Sequence, residues 1–348
     1  MADRGFRVKD AVITNFYDVL EVSPRASAEV IQAAYRTLMK RFHPDVGGNA
    51  RTAQLLNEAY ETLSDSTKRT RYDREKNALP GKIVGNFRVL ERIAEGGFGT
   101  TYRGEHTLVK ELVCIKHCLN ISPQDEEILI QEAQAIWDLR HFAIPAVRDV
   151  LRLSDGSLAL VMSYVSGPTL QQLVEKMKTD RDKLDAETVA WITERILNAL
   201  MYLHMNGVVH GDIKPANVII QPKDHMVVLV DYGLSMVKPS RGSNSKGYTP
   251  LFAPPEELAG KPLLPESDFY SLGMTMIYAL SGDIRNVSGK QVPENTPEVM
   301  CDFIRQLIAR DVLARPNWEK ENVFEAFQKV RLKAFGRARS GLKPIPGF

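Results

Sequence analysis

Apolar residues recur at three-to-four spacing from Ile31 through Ala34, Tyr35 and Leu38 to Phe42, which puts them on one face of a helix. Ser27 stands where that helix needs an N-cap, and Arg36, Lys40 and Arg41 fall on its polar face. A second stripe, Leu55, Leu56, Ala59, Tyr60 and Leu63, predicts a helix from Thr52 to Leu63. Neither stripe can be buried alone, so the two helices are expected to close as an antiparallel hairpin in an all-α unit. From Phe87 the pattern alternates as in strands: 87–90, 112–115, 147–153 and 158–162, with Ser154-Asp155-Gly156 as a hairpin turn. A Glu- and Gln-rich helix from Gln124 to Arg140 interrupts these strands. After residue 166 the pattern is mainly helical, as in Thr188–Met205 and Asp268–Leu280. The expected fold is therefore an all-α N-terminal unit, then an α+β bilobal one: a small β-rich lobe, a large helical lobe and a cleft between them.

Between the first two helices lies His43-Pro44-Asp45-Val46-Gly47-Gly48-Asn49, where Pro44 ends a helix and the glycines free the backbone for an exposed loop. With Phe16-Tyr17-Asp18, Ala33-Ala34-Tyr35-Arg36, Asn57-Glu58-Ala59-Tyr60 and Arg71-Tyr72-Asp73 around it, this segment resembles the J domains of DnaJ-type co-chaperones. The resemblance covers nearly all of residues 15–74. It implies that His43, Pro44 and Asp45, with the basic face of Arg36, Lys40 and Arg41, dock on a DnaK-type chaperone and stimulate its ATPase. A basic stripe steers such a module to an acidic partner, and a short loop supplies the specific contact.

Pro80, Gly81 and Gly85 mark a change of period, so the boundary is expected there. The expected division is a J domain at 1–74 (core 15–74), a linker at 75–86 and a second domain at 87–335. That domain would have a small lobe at 87–162, a hinge at 163–166 and a large lobe at 167–335. The stretch from Arg331 to Phe348 is basic and is expected to be a flexible, solvated end, with 336–348 as the tail beyond the domain.

A chain of 348 residues suits one small and one medium domain, each able to bury a core. A net charge of +2 argues against dedicated nucleic-acid binding, which needs a basic face to neutralise phosphates. The three cysteines, Cys114, Cys118 and Cys301, match no zinc spacing and suit a reducing compartment; the Cys114-x-x-x-Cys118 pair is expected in a strand. No secretory signal or run of about eighteen apolar residues is apparent, so a cytoplasmic protein without membrane partners is expected.

The chemistry is carried by an ordered series of motifs. Glu95-Gly96-Gly97-Phe98-Gly99 forms a turn whose glycines let the backbone approach phosphates. Val113-Cys114-Ile115-Lys116 ends a strand in a lysine, and Glu132 follows on the next helix. Then come His210-Gly211-Asp212-Ile213-Lys214-Pro215-Ala216-Asn217, Asp231-Tyr232-Gly233, Gly247-Tyr248-Thr249-Pro250 and Ala253-Pro254-Pro255-Glu256. Each alone has a dull reading as a turn or a surface charge; their joint order over some 200 residues does not. From Phe87 to about Phe335 the chain resembles the protein kinase family.

That resemblance implies ATP and Mg2+ as cofactors and a protein Ser/Thr acceptor as substrate. Lys116, paired with Glu132, would hold the phosphates beneath Gly96, Gly97 and Gly99. Asp212 would accept the acceptor hydroxyl's proton, Lys214 would stabilise the transferring group, and Asn217 and Asp231 would hold the metal. Met162 would back the adenine pocket, with Ser163 and Val165 reading the adenine edge, and Glu256 would pair with Arg315. Lys214 and Thr249 resemble the Ser/Thr-specific kinases.

Departures from the family pattern are Ala94, Thr101, Tyr232 and Gly211. The first two would at most alter nucleotide affinity, and the Tyr232 hydroxyl needs a partner. Gly211 stands where kinases switched by activation-loop phosphorylation carry an arginine, so activity independent of phosphorylation within 234–248 is expected, although Ser235, Ser240, Ser243 and Ser245 lie there. A competing reading is a co-chaperone whose kinase-like module binds ATP as a sensor or scaffold; loss of Lys116, Asp212 or Asp231 would have favoured it, and all three are present.

Overall fold

The computed structural model describes residues 15–24, 26–43, 49–76, 79–96, 99–118, 123–153, 155–221, 223–237, 239 and 248–338, with the backbone alone at 74–76, 96 and 123–125. The chain divides into two compact units, Met1–Lys82 and Ile83–Phe348.

In the first unit α1 (Phe16–Val19) precedes the hairpin of α2 (Ala28–Phe42) and α3 (Ala50–Leu63), and α4 (Ser66–Lys76) follows. Ser27 caps α2 by accepting from Val30 N–H, and Asn49 caps α3 by accepting from Arg51 N–H. Ile31 and Leu38 of α2 meet Leu56, Ala59 and Leu63 of α3 in one core, with Tyr35 and Phe42 partly buried against it. Tyr35 stacks on Tyr60 at 4.1 Å between ring centres and donates to Asn57 Oδ1 at 2.7 Å. The two ends of the unit are tied by hydrogen bonds: the Tyr17 hydroxyl donates to Asp73 Oδ1 at 2.8 Å, and Phe16 N–H donates to the Tyr72 hydroxyl at 2.7 Å. Burial pushes the Tyr17 phenol up to about 12, so it stays a donor at any ordinary pH. Arg36, Lys40 and Arg41 are exposed along α2 and His43 is its C-cap; Pro44 and Asp45 lie outside the described residues.

The second unit opens with a six-stranded sheet in the order β1-β2-β3-β4-β6-β5, with every pair antiparallel. Its strands are β1 (Ile83–Val84), β2 (Phe87–Gly96), β3 (Gly99–His106), β4 (Leu112–Cys118), β5 (Val147–Arg152) and β6 (Leu158–Ser163). β1 lies within the stretch expected as linker. Gly85, at φ 55, turns it back so that Val84 pairs with Phe87. The helix expected to reach Arg140 is α5 (Pro123–Ile136). It stops earlier: Trp137 and Leu139 N–H turn to the carbonyls three residues back, Gln134 and Ile136, and Arg140 N–H is taken by the Tyr202 hydroxyl at 3.0 Å, a tertiary bond that helical periodicity does not reveal.

The large lobe is built on α6 (Leu170–Thr179), α7 (Ala186–Met205) and α9 (Pro265–Ser281), with α8 (Pro255–Leu258), α10 (Ile284–Gly289), α11 (Glu298–Leu307) and α12 (Val323–Phe335) around them. Two short ribbons, β7 (Val208–Val209) with β10 (Met236–Val237) and β8 (Val218–Gln221) with β9 (Met226–Leu229), carry the loops of the site. α9 is buried from Ser267 to Ser281, as suits a helix that is apolar nearly all round at the centre of a lobe. Arg331 corrects the reading of the basic C-terminal stretch. It lies in α12 and is buried at 1% exposure, paired with Glu194 of α7. Charge density suggested solvent, but Val323 and Phe327 supply the apolar stripe that seats this helix.

Candidate active site

Strand register places the first group of the site. Lys116 on β4 faces Thr101 on β3 and Leu160 on β6, so its side chain starts from the middle of the sheet. From there Lys116 Nζ donates to Glu132 Oε2 of α5 at 2.7 Å and to Asp231 Oδ1 at 2.8 Å. Burial alone would lower the lysine, but Glu132 and then Asp231 outweigh it and hold the ammonium above the usual lysine value. Burial raises Glu132, whereas Lys116 overcomes burial at Asp231 and keeps that carboxyl below its usual range. Asp231 sits at φ 65, in the left-handed region, and leaves Oδ2 without a hydrogen-bond partner among the described residues. Gly233 borders the cluster: a Cβ there would lie 3.5 Å from atoms of Lys116, Glu132 and Asp231, at ordinary van der Waals contact.

Above it, Gly96 faces Gly99 across the β2–β3 turn. Gly99 adopts φ 138, and a Cβ there would meet the His117 carbonyl oxygen at 2.4 Å, so glycine is required. Gly97 lies outside the described residues. The two departures Ala94 and Thr101 are cross-strand partners of one another. Met162 is buried beside Cys114 in the β4–β6 register. Ser163 ends β6 with its N–H held by the Ala146 carbonyl at 2.9 Å, and Val165 follows beyond the strand.

The second half is the loop from β7 to the 3-10 turn Pro215–Asn217. Asp212 is the hub. Its Oδ2 accepts from Lys214 Nζ at 2.7 Å and from Asn217 Nδ2 at 2.9 Å, while Oδ1 accepts the Thr249 hydroxyl at 2.8 Å. Lys214 Nζ also donates to Thr249 Oγ1 at 2.9 Å, closing a three-membered polar ring. Because the Asn217 amide N–H groups are used on Asp212, its other end, the carbonyl oxygen, is the one left to a ligand. Val230 N–H donates to the Asn217 carbonyl at 2.9 Å, which keeps Asp231 next to Asn217. One amide oxygen and one carboxylate oxygen are hard donors, and Mg2+ takes few such protein ligands when phosphates and water complete its shell.

The loop is anchored from below by α9. Asp268 Oδ2 accepts His210 N–H and Oδ1 accepts Gly211 N–H, each at 2.8 Å. Gly211 adopts φ 77, and a Cβ there would lie 2.9 Å from the Leu234 carbonyl oxygen. The His210 ring packs on Tyr232 at 4.7 Å, and the Tyr232 hydroxyl reaches the Leu229 carbonyl at 3.4 Å. Ser235 is buried and donates to the His210 carbonyl, so its hydroxyl is not displayed to solvent; Ser240, Ser243 and Ser245 lie outside the described residues. Farther down, Glu256 accepts two bonds from Arg315, at 2.7 and 2.8 Å, and one from Ser267 at 2.7 Å.

Sequence reasoning missed His204 and Trp318. His204 Nε2 lies 2.8 Å from Asp268 Oδ2, and Trp318 Nε1 donates to His204 Nδ1 at 2.8 Å. No local signal joins residues 114 positions apart.

The protein kinase domain family matches residues 87–325 of this chain, and the DnaJ domain family matches residues 15–73. Serine/threonine-protein kinase PknA of Nostoc sp. is 33% identical over 220 residues, covering 58% of this chain and 38% of that protein. Serine/threonine-protein kinase B of Synechocystis sp. is 31% identical over 221 residues, with the same 58% and 38% coverage. Serine/threonine-protein kinase ppk25 of Schizosaccharomyces pombe is 28% identical over 321 residues, 81% of this chain and 74% of that protein. The chain spans about two fifths of the length of the first two relatives.

Proposed function

We propose, since the chain belongs to the protein kinase family and carries a DnaJ domain ahead of its kinase domain, that it transfers the γ-phosphate of ATP to Ser or Thr hydroxyls of proteins. The observation that carries this reading is the ring at Asp212. The Thr249 hydroxyl on Asp212 Oδ1, with Lys214 bridging the two, displays how this loop holds an aliphatic hydroxyl against a carboxylate. An acceptor hydroxyl beside the same carboxylate would be oriented as a nucleophile and would pass its proton to Asp212. Lys214 would offset the charge that builds on the transferring group, a role that needs a cation fixed in advance.

Lys116, held by Glu132 and Asp231, would bind the phosphates nearer the adenosine, and the glycine turn would cover them with backbone N–H groups. Asn217 and Asp231 would hold Mg2+. Bound there, the metal neutralises charge between the phosphates as the terminal one leaves. Met162 would back the adenine, while the carbonyl of Ser163 and the N–H of Val165 would meet its edge. The J domain would recruit a DnaK-type chaperone through His43-Pro44-Asp45 and the exposed Arg36, Lys40 and Arg41, and would stimulate its ATPase.

Labelled phosphate from γ-labelled ATP with magnesium is expected to appear on the protein itself and on a generic Ser/Thr substrate. Asp231→Asn and Lys116→Met are each expected to abolish it. Absence of transfer by the wild type, with ATP still bound, would replace this reading with a nucleotide-sensing co-chaperone. The chaperone arm is tested by His43→Gln: chaperone ATPase stimulation should be lost while phosphate transfer persists, and equal stimulation by both proteins would remove that arm.

A further inference from the structure

A pocket of about 310 Å³ opens in the large lobe between the C-terminal ends of α6 and α9 and the start of α10. Its size is at the small end of ligand sites, which run from about 300 to 1,000 Å³. Val174, Met177 and Leu184, each only 4% exposed, give it an apolar floor that is continuous with the lobe's core. Its rim is basic.

The charges there do not cancel. Four cations line the pocket, Lys178, Arg181, Lys183 and Arg285, against two carboxylates, Asp182 and Asp283. Asp283 is already engaged: it accepts from Arg285 at 2.7 and 2.9 Å. Lys178, Arg181 and Lys183 form no salt bridge among the described residues, although Lys178 lies near enough to Asp283 to help hold that carboxyl down, and all three are exposed. Arg181 is also fixed in place by its backbone. It occupies the left-handed position that ends α6, at φ 57, with Asp182 N–H reaching back to the Met177 carbonyl at 2.8 Å. That position ordinarily goes to glycine, and here it sets a guanidinium at the rim.

An apolar floor under a rim of net positive charge fits a segment carrying a hydrophobic side chain flanked by carboxylates. A basic segment would meet like charge, and a purely apolar one would leave the rim unanswered. The pocket also belongs to the elements that support the catalytic loop. α9 holds that loop through Asp268 and through Thr275, whose hydroxyl reaches the Ile213 carbonyl at 3.4 Å, and Ser281 at the pocket follows about 9 Å farther along the axis than Thr275, taking 1.5 Å per residue.

We propose that this pocket docks an acidic peptide segment of the protein substrate, with one large apolar side chain on the floor of Val174, Met177 and Leu184 and carboxylates on Lys178 and Arg181. Only the naming of the partner as a substrate rests on the kinase reading; the binding does not. Such docking would raise the local concentration of an acceptor without taking part in the transfer.

The test is selection of random short peptides on the full chain in the absence of nucleotide. Enrichment of Asp and Glu around a Leu, Met or Phe is expected. The selected peptides should bind the Lys178→Glu/Arg181→Glu variant roughly tenfold more weakly or worse, and wild-type binding should weaken with salt. Both side chains are exposed, so the variant should stay folded, its midpoint lowered only slightly by reversing the Lys178 charge at the end of α6, and should transfer phosphate to a short generic acceptor at the wild-type rate. No acidic enrichment, equal affinity for the variant, or competition of the peptides with ATP would each overturn the proposal. A chain that binds these peptides through the pocket but transfers no phosphate would leave docking standing and remove the kinase reading.

Discussion

Trp318 donates its indole N–H to His204 Nδ1 at 2.8 Å, and this bond decides the tautomer of the histidine. Indole nitrogen can only donate, so Nδ1 must accept and the ring proton sits on Nε2. Nε2–H is then free to donate to Asp268 Oδ2, the same oxygen that receives His210 N–H. Trp318 thereby acts through His204 and Asp268 on the loop that carries Asp212.

Replacing Trp318 by Phe keeps a ring against Phe269, whose centre lies 5.3 Å away, but removes the donor. A buried acceptor left unsatisfied costs about 1–3 kcal/mol. Stability is expected to fall by that amount, and kcat to fall several-fold while KM for ATP stays unchanged. A purely structural role would lower the unfolding midpoint and leave kcat per folded molecule intact, which steady-state kinetics on the folded fraction will distinguish.

Lys116→Met should change how stability depends on pH, beyond its effect on transfer. Burial raises the Glu132 carboxyl even beside Lys116, and Lys116 is the main influence pulling it down. Without the cation the folded-state value rises further above the unfolded one. A carboxyl raised in this way contributes stability below its unfolded value and loses it as pH rises through the folded value. The variant is therefore expected to be closest to wild type near pH 5 and weakest near pH 8, where an unpaired buried charge costs about 3–5 kcal/mol. Thermal midpoints of both proteins across that range will show it; parallel curves would contradict it.

Motif spacing made most of the site legible because each group is tied to its neighbours along the chain. Asp212, Lys214 and Asn217 fall within one short loop, so their convergence on a single carboxylate follows from local geometry. Lys116 and Glu132 were readable as a strand lysine and a helix face, but the strand does not end at Lys116 as expected: β4 pairs on through His117 to Cys118. His204, Trp318 and the α6–α9 pocket were not, since each depends on how distant helices pack. Arg331 was misread for a related reason: its burial is set by Glu194 on α7, and a basic stretch carries no mark of a partner so far away. The glycine at 211 was legible as a missing cation but not as a backbone requirement, which needs the φ of 77.

That backbone requirement makes Gly211 a test of phosphorylation independence. Gly211→Ala would strain a left-handed residue and press a methyl group to 2.9 Å from the Leu234 carbonyl, so a loss of about 1–3 kcal/mol and a lower kcat are expected. Gly211→Arg should share the strain and fail to install a phosphate-responsive switch. Phosphatase treatment of the wild type is expected to leave transfer activity in place, measured with labelled ATP after the phosphatase is removed. Abolished activity in that experiment would mean that a cation elsewhere reads the phosphate.

The Glu256–Arg315 pair should behave in the opposite pH sense to Glu132. Burial pushes Glu256 up, but the Arg315 hydrogen bonds outweigh it, and the carboxyl is held below its usual range. A depressed carboxyl contributes stability above its unfolded value and loses it as pH falls through the folded one. Arg315→Met removes two charge-assisted bonds to Glu256 and those to the Ala309 and Glu266 carbonyls. It leaves a nearly buried carboxylate with Ser267 as its remaining side-chain partner. A loss of about 3–5 kcal/mol at pH 7 is expected, shrinking below pH 4 as the glutamate is protonated in both states. Adding Glu256→Gln should recover part of the loss at pH 7 and almost none at low pH, because it removes the stranded charge only where that charge exists. Denaturant unfolding of the single and double variants at the two pH values measures the difference, and equal recovery at both would show that packing, not charge, ties α8 to the lobe.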